Sequence, residues 1–470
     1  MKKILYLPFL LLFALPTHAQ SVAQKLEEAI VQLEADPVFK HAIISLCVVN
    51  TTTGAQVYGH NEQTGLAPAS TQKLFTSAAA FELLGPLFRF RTTIGSDQPV
   101  QQGVLNGNLF VTGEGDPTLG SFRWNSTKEK AVMQQLIDIL HKQKISIIKG
   151  DLWIDDINYT TDPMPGGWIW TDIGNYYGAG CYGLNWNENQ FDLTLSAGDC
   201  CGGLTTVKSI SPAIPNFQLT NDIRVGKKGS GDNGYIFSAP YSTKAFTSGT
   251  IPANEKSFTI SGSMPQPAAV FGAVLKNALL QAGIKFNGKV HVSSTAMLNQ
   301  QAIRKPSAVL DSIVSPTVDS INYWFLQKSV NLYGEALVKR IAFKQNGTGS
   351  TEDGVEVVRN FWQAQGIEKS AINIMDGSGL SPQNRVTTDA LVRVLQYAKS
   401  RPWYSSFYYA LPAYNGMKMK SGSIGGSRAY AGYHTSKEGS QYSYAIIINN
   451  YSGSAGDAVK KMYKVLDILK

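Results

Sequence analysis

Ser70 and Lys73, in the run Pro68-Ala69-Ser70-Thr71-Gln72-Lys73-Leu74-Phe75, set a hydroxyl nucleophile and an amine three residues apart. On a helix this spacing brings both side chains to one face. If Ser70 occupies the first helical turn, unpaired N–H groups and the positive end of the helix dipole favour a developing alkoxide. Apolar neighbours would desolvate Lys73 and lower its pKa. Such a pair activates serine without histidine. A second Ser-x-x-Lys, at Ser146 to Lys149, lies among β-branched residues before Gly150-Asp151, where a strand would point its Ser and Lys to opposite faces. Ser70 instead precedes Leu74, Phe75, Ala78, Ala79, Ala80, Leu83 and Leu84, a helical pattern closed by Gly85-Pro86. Taken alone, the motif reads more simply as an N-cap serine beside a solvated lysine.

Two distant motifs change that balance. A helical stretch after Ser315-Pro316 holds Ser329-Val330-Asn331, followed by Leu-Tyr-Gly-Glu-Ala-Leu. Ser329 supplies a hydroxyl for proton relay, and Asn331 an amide that can hold a substrate carbonyl or fix Lys73. A competing Ser320-Ile321-Asn322 lacks that downstream context. Near the C-terminus, Lys420-Ser421-Gly422-Ser423 precedes a strand pair. Gly422 leaves room for a substrate backbone, Ser421 offers a hydroxyl, and Lys420 a positive field for a carboxylate. The N–H groups of Ser423 and Ser70 would form an oxyanion hole.

The elements that must position these residues follow from the rest of the chain. Met1-Lys2-Lys3, an apolar run from Ile4 to Leu15, and Thr17-His18-Ala19 read as a secretory signal over residues 1–19, too short to span a bilayer. Loss of Lys2 and Lys3 with it takes the formal charge from +8 to +6. That excess is spread along the chain without a basic aromatic run, so nucleic acid binding finds no support, and no later stretch reads as transmembrane. A secreted, periplasmic protein is expected. The four cysteines are too few for a disulfide scaffold. Cys47 reads as a buried thiol, and Cys181 has Cys200 and Cys201 as candidate partners. The six histidines show no metal-ligand spacing, and neither a zinc motif nor G-x-S-x-G occurs, so no cofactor is expected.

Ser21 to Leu33 has helical periodicity, and Ala42 to Val49 with Ala55 to Gly59 reads as a hairpin leading to Ser70. Arg428 to His434, Tyr442 to Asn449 and an amphipathic helix from Ala455 to Leu469 complement it, giving one antiparallel sheet flanked by helices. From Arg91 to about Val290 the texture is short strands with one good helix, Ala268 to Ala282. Trp168, Trp170, Tyr176, Tyr177 and Tyr182 cluster there, either as a carbohydrate or peptide platform or, more simply, as core. The expected fold class is α+β: a discontinuous domain of residues 20–90 and 291–470, with a β-rich insertion over 91–290 that forms two nested domains.

With its three motifs in this order, the chain resembles the penicillin-recognising serine peptidases. Within them it is similar to the D-alanyl-D-alanine carboxypeptidase/endopeptidases among the low-molecular-mass class C penicillin-binding proteins. The likeness spans nearly the whole mature chain. It includes Gly113-Glu114-Gly115-Asp116-Pro117, Gly150-Asp151-Leu152-Trp153, Tyr177-Gly178-Ala179-Gly180 and Asp376-Gly377-Ser378-Gly379-Leu380-Ser381. Val330, Ser421 and Glu114 depart from the usual residues, and none removes a catalytic group. The resemblance implies a transpeptidase-like domain with Ser70 acylated, Lys73 accepting its proton, Ser329 and Asn331 as second motif, and Lys420, Ser421 and Gly422 as third. It further implies peptidoglycan stem peptides as substrate and β-lactams as covalent inhibitors. The competing expectations are a β-lactamase or esterase on the same scaffold and a non-catalytic peptidoglycan-binding protein. Oligomeric state is left open by the sequence.

Overall fold

The computed structural model describes residues 20–199 and 201–470; the expected signal segment and Cys200 lie outside the described residues. A central antiparallel sheet runs in the order Gln56–His60, Ile43–Asn50, Gln441–Asn449, Ser427–Thr435, Met417–Ile424, Ala413–Tyr414. Its middle strands are apolar on both faces, and strand periodicity divides their side chains between two cores. Ile44, Leu46, Val48, Ile446 and Ile448 pack on the N-terminal helix Val22–Glu34 and the C-terminal helix Ala455–Leu466. Cys47, Val49, Ala445 and Ile447 face the other way, toward Leu74, Phe75, Ala78 and Leu391. Truncating Ile44, Leu46, Ile446 or Ile447 to alanine removes about 2–5 kcal/mol.

The N-terminal helix starts where the sequence places it, because Ser21 and Gln24 form a capping box. The expected hairpin is present as Ile43–Asn50 paired with Gln56–His60. Helix Lys73–Leu83 is buried from Lys73 through Phe81. Its run of small alanines lets helices Val318–Gln327 and Asn331–Asn346 approach closely on the same core.

The middle of the chain builds a mixed sheet in the order Val290–Val292, Leu152–Asp155, Leu109–Gly113, Arg91–Ser96, Ala308–Val314. Ala308–Val314 pairs with Arg91–Ser96, so this sheet reclaims the chain as far as Val314, past residue 290. Two helices pack on it, the expected Pro267–Gln281 and an unexpected Glu129–Lys142, whose Val132, Met133, Leu136, Ile137 and Leu140 form an apolar stripe. The strand read over Gly103 to Val111 is broken into Val104–Leu105 and Leu109–Gly113. The competing Ser146-to-Lys149 motif does contain a strand, Ile147–Ile148. Smaller sheets complete the region, one around Gln190–Ser196 and one around Lys244–Ile251.

Cys181 is not paired with Cys201, and the other candidate partner, Cys200, lies outside the described residues. Cys181 is a buried free thiol beside Asn185, while Cys201 is exposed and donates to the Gly226 carbonyl at 3.3 Å. Among the described residues, no helix is long and apolar enough to cross a membrane.

Candidate active site

Ser70 does not begin an α-helix. It lies in the 3-10 turn Ala69–Gln72, which runs directly into helix Lys73–Leu83. Ala69 is held at φ +47°, a left-handed conformation that side-chain-bearing residues rarely adopt, and Ser329 at φ +59°. Backbone strain thus sits at both serine motifs. The tight turn still leaves Ser70 and Lys73 on one side, and Lys73 Nζ lies 2.9 Å from Ser70 Oγ.

Lys73 is buried and makes two shorter contacts, 2.6 Å to Asn331 Oδ1 and 2.6 Å to the Ser378 carbonyl. Burial lowers its pKa to about 7, against the opposing pull of Asp376 and Glu335. Both carbonyl oxygens can only accept hydrogen bonds. A neutral amine has two hydrogens, so both are taken, and its lone pair is left facing Ser70 Oγ. Asn331 cannot flip, because its Nδ2 donates to the Tyr177 carbonyl at 2.7 Å.

The loop carrying Ser378 hangs on Asp376. One carboxylate oxygen accepts from Gln72 Nε2 (2.9 Å), Gly379 N (2.7 Å) and Asn384 Nδ2 (3.1 Å). The other accepts from Trp168 Nε1 (2.9 Å) and Ser381 N (2.7 Å). Gln72, at the end of the turn, and Lys73 and Thr76, three apart on the helix that follows, all bond this loop, Thr76 through the Gly377 carbonyl at 2.7 Å. From the opposite side, buried Glu335 accepts the Gly377 N–H at 3.0 Å, and burial pushes its carboxyl up to about 8. Gly379 meets the Ser70 turn so closely that a Cβ would lie 2.0 Å from the Ala69 carbonyl.

The third motif forms the facing wall. Strand Met417–Ile424 lies against the Ser70 turn, and a Cβ on Gly422 would lie 2.4 Å from the Pro68 carbonyl and 3.1 Å from Ser70 N. Only glycine permits this approach. Lys420 is buried and its Nζ donates to the Ser421 carbonyl at 2.9 Å. Burial, reinforced by the charge of Lys73, holds it well below the ordinary lysine range. It lies beneath the strand and does not line the cleft. Ser70, Ser329, Asn331 and Ser423 all line one cleft of about 730 Å³. The competing Asn322 is buried elsewhere, with its amide toward the Ser77 carbonyl.

Sequence reasoning missed what backbone groups contribute. The carbonyls of Ser378 and Tyr177 carry no side-chain signature, and the Asp376-to-Ser381 loop reads from its Asp and Gly as a turn that is scaffold near the site. The sole available hint was Gln72 between the motif's fixed letters. The aromatic cluster divides: Trp168 and Tyr182 are buried, while Trp170 and Tyr176 are about half exposed.

The family model for the D-Ala-D-Ala carboxypeptidase 3 (S13) family matches residues 26–468. A D-alanyl-D-alanine carboxypeptidase of Actinomadura sp. is 28% identical over 97% of this chain and 87% of its own. A D-alanyl-D-alanine carboxypeptidase of Haemophilus influenzae is 26% identical over 96% of this chain and 92% of its own. The crystal structure of penicillin binding protein 4 from Haemophilus influenzae superposes with a TM-score of 0.78 at 23% identity, covering 92% of this chain and 98% of that one. A second structure of that protein, complexed with a β-lactam, gives 0.72 at 22% identity over 93% and 99%.

Proposed function

Because the chain belongs to the D-Ala-D-Ala carboxypeptidase 3 (S13) family, and so is a serine-type D-Ala-D-Ala carboxypeptidase of the penicillin-binding kind, we propose that Ser70 is its acylated nucleophile and Lys73 its base. Ser70 Oγ attacks the carbonyl of the penultimate D-alanine in a peptidoglycan stem peptide as its proton passes to Lys73 Nζ. The N–H groups of Ser70 and Ser423 hold the oxyanion. As the C–N bond breaks, the departing amine takes a proton from Lys73 through the Ser329 hydroxyl. This frees D-alanine and leaves an ester on Ser70, which water then hydrolyses. Ser421 and Gly422 take the substrate's terminal carboxylate and backbone, buried Lys420 holds their strand from beneath, and Asn331 holds the Lys73 amine in register. β-Lactams enter as analogues of the dipeptide and stay bound as slowly released acyl-enzymes.

The observation that carries this reading is the Lys73 amine, buried between Ser70 Oγ and two acceptor-only carbonyls. We further propose export to the periplasm, with residues 1–19 as the leader. We place the peptidase domain in the two ends of the chain, around a β-rich insertion that begins at about residue 91. Intact-mass spectrometry after incubation with a fluorescent penicillin tests the site. One adduct is expected on the wild type and none on Ser70→Ala; an undiminished adduct on the variant would refute the assignment.

A further inference from the structure

One sheet face of the inserted region is aromatic where a solvent face is ordinarily polar. In strands Asn233–Ser238 and Lys244–Ile251, Ile236, Ala245, Thr247 and Ile251 turn inward. Alternation therefore sends Tyr235, Phe237 and Phe246 outward. Phe237 pairs directly with Phe246, their rings stacked at 4.8 Å, and Trp170 lies 5.9 Å from Phe237. Trp170, Tyr235 and Phe246 remain 49%, 43% and 46% exposed. The row begins at the cleft, since Trp170 follows Ile169, and Ile169, Asp172 and Tyr176 all line the wall near Ser70.

We propose that this ledge binds the glycan of the polymer whose stem peptides enter the cleft; the inference rests on the peptidase reading above. A stem of four extended residues spans at most about 14 Å. That reach keeps the sugar that carries it close to the cleft, and the aromatic row continues the cleft wall from Ile169. A pyranose has apolar C–H faces that lie flat on aromatic rings, and a rim of hydroxyls that need neutral hydrogen-bonding partners. The ledge supplies both. Exposed Ser248 pairs with Tyr235, exposed Thr220 with Phe246, and Gln218 stands beside Lys244. Its outward strand positions hold neither a carboxylate nor an aliphatic Leu, Ile, Val or Met, so the apolar surface it offers consists of flat ring faces.

Calorimetric titration with peptide-free oligosaccharides of alternating N-acetylglucosamine and N-acetylmuramic acid tests the proposal. Saturable binding is expected for the wild type, weakened about tenfold in Trp170→Ala and in Phe246→Ser, and kept in Trp170→Tyr. The same two weakened variants should raise KM for glycan-linked pentapeptide while leaving turnover of a soluble pentapeptide unchanged. Absence of saccharide binding by the wild type, or equal binding by all forms, would overturn it. So would a wild-type dimer that Phe246→Ser dissolves in the absence of any saccharide effect, which would give the face to a second copy of the chain. Failure of the wild type to release D-alanine from the soluble pentapeptide would strike the peptidase reading instead, a result separate from the titration.

Discussion

Replacing Asp376 by asparagine changes one oxygen to nitrogen at the point where the Ser378 loop is tied together. The carboxylate accepts three hydrogen bonds on one oxygen and two on the other. An amide has a single acceptor oxygen, which will stay with the three donors. Its NH2 then faces the Trp168 indole N–H and the Ser381 N–H, leaving both buried donors unpaired. At about 1–3 kcal/mol for each orphaned group, the loss is about 2–6 kcal/mol. The Ser378 carbonyl moves with its loop, so β-lactam acylation should fall by about tenfold or more. The sign of the pH effect is also fixed. The Asp376 charge raises the pKa of Lys73, so its removal lowers that pKa further and moves the acid limb of acylation to lower pH. The assay is urea unfolding with stopped-flow acylation, on the single variants and on the double variant with Trp168→Phe. In the Asp376→Asn background that second change removes an orphaned donor, so it should cost less than it does in the wild type. Additive effects, or an acid limb displaced upward, would refute the argument.

Four further outcomes follow from the same geometry. Ser329→Ala should retain penicillin binding yet lower kcat on a pentapeptide by about a hundredfold or more, measured as D-alanine release. Gly422→Ala places a methyl against the Pro68 carbonyl and should slow acylation by about tenfold or more, followed with a chromogenic cephalosporin. Asn331→Asp puts a carboxylate beside Lys73 Nζ, raising the lysine pKa and shifting the acid limb to higher pH in a kcat/KM profile. Thiol labelling with peptide mapping should modify exposed Cys201 in the native protein. Buried Cys47 and Cys181, each pushed up to about 12 by desolvation, should react only after unfolding.

The three motifs were readable because each joins a chemically special side chain to a helix or strand with a clear period. The central hairpin and the terminal strands were readable for the same reason. Helix Glu129–Lys142 was not, although its apolar stripe is there in the sequence: the glycine and aromatic texture around it argued for strands, and local pattern lost to regional composition. The 3-10 turn at Ser70 escaped because tertiary contacts from Gly379 and Gly422 shape it, and no local propensity signals it. The Asp376 loop reads as a turn that is scaffold near the site, and its turn chemistry is real. Its grip on Trp168 and Gln72 depends on segments far apart in the chain. The carbonyls of Ser378 and Tyr177 belong to no residue type at all. Of the five clustered aromatics, Trp168 and Tyr182 are core; Trp170 and Tyr176 depart because the cleft wall turns them outward.

The central claim is that Ser70 is activated by an amine kept unprotonated through burial and two acceptor-only partners. Its most direct measurement is the second-order rate of β-lactam acylation against pH, with the adduct located by peptide mass. The rate should rise with pH through a midpoint of about 7 and then level, with all label on the peptide containing Ser70. A midpoint near the ordinary lysine value of about 10.4, or label on any other residue, would contradict it.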